Sequence, residues 1–187
     1  MQSTAGLSVG QIGAVTNCLN SAIFEVTGFT ATTISHALGS GAAMSNSSST
    51  FRTSYVPGAQ FIPLQQTAYF VAQGQGTQST LMSATMNTIT GGWTIQPLVP
   101  GVDSMQVLYG VGSSGSNIEY VAASSVTDWS VVSSIQLGFL LQGQLGSGAT
   151  STATGNSYSV LGTTITVPSD GRLRHVFQMT IDIRNAT

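Results

Sequence analysis

The side chains able to move a proton, attack a carbonyl or hold a metal are few: Cys18, His36, His175 and the acids Glu25, Asp103, Glu119, Asp128, Asp170 and Asp182. The two histidines stand far apart, and Cys18 is distant from His175, which is not the spacing of a zinc site. The acids come one at a time, with neither the adjacent pair that a glycosidase needs nor an EF-hand pattern. A calcium site of loop carbonyls plus Asp128 or Asp170 is the metal alternative, but Asp170-Gly171 is better explained as turn chemistry. A nucleophilic serine would sit in a Gly-x-Ser-x-Gly elbow between strand and helix. The nearest stretches, Gly112 to Ser116 and Gly146-Ser147-Gly148, lie in low-complexity loops. Gly74-Gln75-Gly76 lacks the following helix and lysine of a phosphate loop. The sequence therefore supplies no catalytic, cofactor-binding or metal-ligating residue, and the chain reads as non-enzymatic. By alternation His175 shares a face with Phe177 and reads as structural; His36 reads as a surface residue. Cys18 is the only cysteine, so no disulfide can form within the chain. It reads as a buried small hydrophobe; a partner cysteine in another segment or a reactive thiol are the alternatives. Tyr55, Tyr69, Tyr109, Trp93 and Trp129 would line a glycan or protein site if exposed, but packing on a sheet is the commoner role.

With chemistry set aside, the composition points to surfaces. Only 5% of residues are charged, against about 25% in an average protein. There is no lysine, and the net charge is −2. A hydrophobic fraction of 41% and a mean hydropathy of +0.25 argue for a folded core over disorder. Four arginines make no basic footprint for nucleic acid or anionic lipid. No stretch approaches the roughly 20 apolar residues of a membrane span, and the start lacks a signal peptide's charged and apolar regions. The chain reads as soluble, with a surface of hydroxyls, amides and glycine that repels its copies weakly.

The apolar pattern is period 2 nearly throughout, broken by Gly, Ser and Asn clusters, which reads as β. Strands are expected within 22–34 and at 66–72, 79–84, 93–98, 102–111, 118–122 and 134–142. The 66–72 and 79–84 runs form a candidate hairpin. Two runs flanking Pro168-Ser169-Asp170-Gly171 form another. One helical turn is expected over 124–129, capped by Ser124 or Ser125. The Gly/Ser/Thr/Ala stretch 143–157 reads as a surface loop. Residues 1–20 read as a lead-in or helix remnant, although Gly6, Gly10 and Gly13 each cost a helix about 1 kcal/mol relative to Ala. The remainder, 21–187, reads as a single β-rich head. Two stripes stand out: Ile135/Leu137/Phe139/Leu141 and Phe177/Met179/Ile181/Ile183. They are expected to line a shared sheet interior.

Several blocks carry a resemblance. Thr67-Ala-Tyr-Phe-Val-Ala72 is followed by Ser79-Thr-Leu-Met82. Next comes Leu98-Val-Pro-Gly-Val-Asp-Ser-Met-Gln-Val-Leu-Tyr-Gly110, the most distinctive. Tyr120-Val121 and Val126-Thr-Asp-Trp-Ser-Val-Val132 lead into Ile135-Gln-Leu137. The last block is Asp170-Gly-Arg-Leu-Arg-His-Val-Phe177 with Thr180 to Asn185. In this order and spacing the chain from Thr67 onward resembles the PilW family of type IV pilus minor pilins. The resemblance implies an α+β, predominantly antiparallel β head of the pilin type with little helix. A pilin also starts with Gly-Phe and a glutamate on a long apolar helix. That pattern is not in this sequence, so the expectation is a head whose N-terminal transmembrane helix is absent from this chain.

The resemblance also implies a function without catalysis: a minor pilin in the priming and tip complex of the type IV pilus. Its partners would be other minor pilins, the major pilin and a tip adhesin. Its place would be the periplasmic face of the inner membrane and the extracellular pilus tip. The apolar stripes would pack on the pilin helix and be left partly uncovered without it. Self-association, or occupation of the groove by residues 1–20, would follow. The rival within this class is a type II secretion pseudopilin of the GspJ type. The rival from another class is a β-sandwich carbohydrate-binding or adhesin module using Trp93 or Trp129.

Overall fold

A computed structural model describes residues 4–39, 45–55, 58–74, 78–87, 89–112, 117–148 and 156–183. The chain divides into two compact units, one of residues 1–68 and 83–96, the other of residues 69–82 and 97–187. The sheets are antiparallel wherever register is defined. The described residues hold no α-helix, only two single 3-10 turns, Ala123–Ser125 and Trp129–Val131. The expected α+β class therefore reduces to antiparallel β.

In the first unit, β1 (Ile12–Thr16) lies between β2 (Ser21–Glu25) and β5 (Gln60–Pro63), and a short pair β3 (Gly28–Phe29) and β4 (Ile34–Ser35) follows. The segment read as a lead-in or helix remnant thus holds the central strand of a sheet. Its glycines explain this. Gly10 has a positive φ of 89°, which a side chain resists. At Gly13 the Phe61 ring fills the space a side chain would need. Around Phe24 the rings of Phe51, Phe61 and His36 gather at centroid distances of 5.3, 5.5 and 5.4 Å. Ile12, Phe24, Val26 and Ala84 are buried.

Strands β6 (Thr67–Gln73), β7 (Ser79–Met86) and β8 (Trp93–Pro100) form a three-stranded sheet in sequence order. The β6-β7 neighbours match the expected hairpin; its turn, 75–77, lies outside the described residues.

In the second unit β9 (Val102–Val111), β10 (Glu119–Val121), β11 (Val132–Gln142) and β14 (Arg174–Asp182) make a sheet of order β10-β9-β11-β14. β12 (Asn156–Val160) and β13 (Thr163–Val167) form a separate hairpin. This corrects the expected terminal hairpin: β13 pairs with β12, and β14 pairs with β11. The turn that closes a hairpin is Leu161-Gly162, both with positive φ (47° and 80°), as the twist of a two-residue connection requires. Pro168 to Gly171 joins strands of different sheets. The expected 143–157 loop is shorter at its end, because β12 begins at Asn156; residues 149–155 lie outside the described residues, as do 113–116 and the Arg184-Asn185 ending.

The helical turn expected over 124–129 is two turns with other caps. The first has no side-chain cap on Ala122, and the second is capped by Asp128, which accepts from the Ser130 N–H at 2.9 Å.

Candidate functional site: an apolar sheet face

The register of β9, β11 and β14 brings the two sequence stripes together in cross-strand rows. Tyr109, Ile135 and Ile181 form one row, Val107, Leu137 and Met179 the next, Met105, Phe139 and Phe177 the third. Side chains alternate across a strand, so all nine stand on one face. Trp129 lies edge-on to Tyr109, centroids 4.9 Å apart and planes at 81°. The Asp128 cap fixes the turn that carries it. The Ser130 hydroxyl and N–H on the Asp128 carboxylate hold its pKa below the ordinary carboxylate value.

The stripes share a face, as expected, but this face is not where the unit packs tightest. Phe177, Met179 and Ile181 are 48, 41 and 42% exposed, and the β11 stripe is half-buried. The core is on the reverse face. There Leu140 is fully buried against Val160 and Val167, with Tyr158, Ile165 and Val176 around it. Gly138 shows why the β12–β13 hairpin lands on that side. A Cβ at Gly138 would lie 2.7 Å from Val160 Cγ1 and 2.8 Å from Leu161 Cγ, so only a bare backbone lets the hairpin approach. At the far end Tyr120 hydroxyl and Ser134 Oγ hydrogen-bond at 3.1 Å.

The rim of this sheet is fixed by charge. Arg174 at the start of β14 donates Nε to Asp103 Oδ2 at 2.7 Å, and Nη1 and Nη2 to the two Asp170 oxygens at 2.7 Å each. Its side chain is 4% exposed. The hydrogen bonds from Arg174 hold Asp170 down to about 2, and those carboxylates in turn raise Arg174. Arg172 donates to the Gly143 carbonyl at 3.0 Å. Gly101, with φ of 82°, immediately precedes β9; its N–H donates to Ser79 O and its carbonyl accepts from Gln142 N–H, both at 2.8 Å.

The remaining chemistry-bearing residues disperse. His175 is exposed opposite Leu141. His36, read as a surface residue, is instead half-buried against the Phe51 ring at 3.8 Å, and burial lowers its pKa. Cys18, read as a buried hydrophobe, is exposed in the β1–β2 turn with φ of 70°. A turn position displaces it from the core whatever its hydropathy. Among the described residues no three of His, Cys, Asp and Glu gather as metal ligands. No helix among them is long and apolar enough to cross a membrane.

No curated protein and no solved structure matches the chain. A family model, that of type IV pilus-assembly protein W, matches residues 68–185, which include every strand of the sheet that carries the apolar face. That span is more than half of the 187 residues, and the chain belongs to the type IV pilus-assembly protein W family.

Proposed function

We propose that this chain acts as a minor pilin subunit in the priming and tip complex of a type IV pilus, by packing and not by catalysis. The observation that supports this reading is the half-exposed apolar face of β9, β11 and β14, inside the region that carries the family match. Nine apolar side chains in three rows offer an apolar partner a ridged surface. At about 25 cal/mol per Å² of buried area such a surface is a strong driving force for association. An apolar pilin helix laid on this face would cover it, and the other minor pilins, the major pilin and a tip adhesin would then meet the remaining surfaces. The functional location in this reading is the periplasmic face of the inner membrane and then the pilus tip. The low charge supports close packing among subunits, because little electrostatic repulsion opposes it.

The test is complementation of a pilus-negative deletion strain with the full gene carrying Met179→Glu. Met179 is solvent-facing enough for the change to leave the head folded. Surface pili counted by electron microscopy should fall at least tenfold while the protein level stays at wild type. Normal piliation at normal protein level would overturn the reading.

A further inference from the structure

We infer that the free edge of β2 is a slot for an extended segment of a partner polypeptide, which joins the sheet as an added strand. The site lies outside the family-matched residues and does not depend on the pilin reading. In its sheet β2 is an edge strand, and its pairing with β1 fixes which way each backbone amide points. At the two ends of this pair, Val26 N–H donates to Gln11 O at 2.9 Å and Asn17 N–H to Asn20 O at 3.2 Å. In an antiparallel ladder, bonded pairs alternate with non-bonded ones. Ala22 and Phe24 therefore bond to Val15 and Gly13, and the N–H and C=O of Ser21, Ile23 and Glu25 point away from the sheet.

At Glu25 that outward pair is already met in the manner of a strand. Asn46 Oδ1 accepts from the Glu25 N–H at 2.8 Å, and Asn46 Nδ2 donates to the Glu25 carbonyl at 2.9 Å. A side-chain carboxamide stands where a neighbouring strand's peptide group would be. Two residues back, the outward groups of Ile23 have no such partner among the described residues, nor do those of Ser21. Edge strands are commonly blunted by lysine or proline, and Ser21–Glu25 carries neither.

A cleft of about 710 Å³ runs beside this edge, within the range of roughly 300–1,000 Å³ typical of binding sites. Every residue from Asn20 to Glu25 lines it, whichever face its side chain takes, so the cleft lies lateral to the strand. Phe51 and Tyr55 line it too. So do Ser45 to Ser48 of the same segment.

The two faces of the strand differ in what they present. On the Phe24 side, the Phe51 and Tyr55 rings, 5.3 Å apart, call for an apolar residue. On the Glu25 side, a carboxylate in a residue only 3% exposed has its Oε2 without a hydrogen-bond partner. That oxygen is itself closed off from solvent, so it sets no requirement on the entering segment. The ligand is thus an extended peptide with an apolar side chain for the Phe51 and Tyr55 rings, held by main-chain bonds to Ile23 and Ser21.

The experiment selects peptides from a random phage-displayed library on the intact chain and measures the enriched peptide against Ile23→Pro. The Ile23 N–H is not used by β1, and edge strands accept proline, so the variant should melt as the parent does. Binding should weaken at least about tenfold, the loss of an outward hydrogen bond plus displacement of the added strand. In the parent, amide exchange at Ile23 and Ser21 should slow on adding the peptide. Equal binding to Ile23→Pro, or Ile23 and Ser21 amides that exchange at unchanged rates, would overturn the inference. The exchange measurement decides even if Ile23→Pro fails to fold.

Discussion

Arg174 is the residue on which most of the second unit's polar order converges. It ties the start of β14 to Asp103 in β9 and to Asp170 in the preceding turn, with its guanidinium nearly excluded from water. Arg174→Ala would leave Asp103 without its ion-pair partner and Asp170 with Arg172 alone. The expected cost is about 3 kcal/mol, at the low end for a broken buried pair because Asp170 reaches solvent; urea unfolding measures it. The same cluster sets a pH dependence. Asp170 sits at about 2 in the folded chain, below its ordinary 3.8. Its stabilisation is therefore fully present above the ordinary value and is lost as pH falls through the range toward 2. The urea midpoint of the parent should drop across that window, and Asp170→Asn should flatten the drop. Little of this was legible in the sequence. Asp170-Gly171 carries a hairpin-turn signature, yet it joins strands of different sheets, and nothing local announces that Asp103, 71 positions from Arg174, completes the cluster. His36 and Cys18 were misplaced for a related reason: a histidine beside a Gly/Ser loop reads as exposed, and only the Phe24 and Phe51 rings decide otherwise.

At the scale of elements, alternation announced the strands β9, β11 and β14 and two of the three stripes, those of β11 and β14, while the joining of the β9 row came only with the register. It could not say which face would be covered. That depends on β12–β13, and their position depends on Gly138, a residue that adds nothing to a hydrophobic pattern. Gly138→Val should overpack the contact with Val160 and Leu161 and lower stability by about 1–3 kcal/mol, with a matching fall in melting temperature. No change in melting would mean that the hairpin yields freely. The mispaired terminal hairpin has the same origin. Thr163–Val167 and Arg174–Asp182 both alternate and a turn separates them, yet Leu161-Gly162 offers β13 a nearer partner across a tighter connection. The loop-like composition before Asn156 hid that partner.

For the whole molecule, the apolar face and the scarcity of charge act together. A chain with net charge −2 and no lysine has little to keep copies apart, and an apolar face whose β14 row is 41–48% exposed gives them reason to meet. Sedimentation velocity of the chain should show reversible association that strengthens with concentration, and Met179→Glu should return it to monomer. A parent that stays monomeric at high concentration would mean that something within the chain already shields the face. Addition of a short apolar helical peptide should compete with association, which separates a helix-binding surface from indiscriminate stickiness.

The exposed turn between β1 and β2 has a practical consequence. Its lone sulfur is a unique attachment point two residues before Asn20, at one end of the cleft beside β2. A single environment-sensitive dye fixed there would report an arriving peptide by emission alone, with no engineered handle and no second labelling site to subtract.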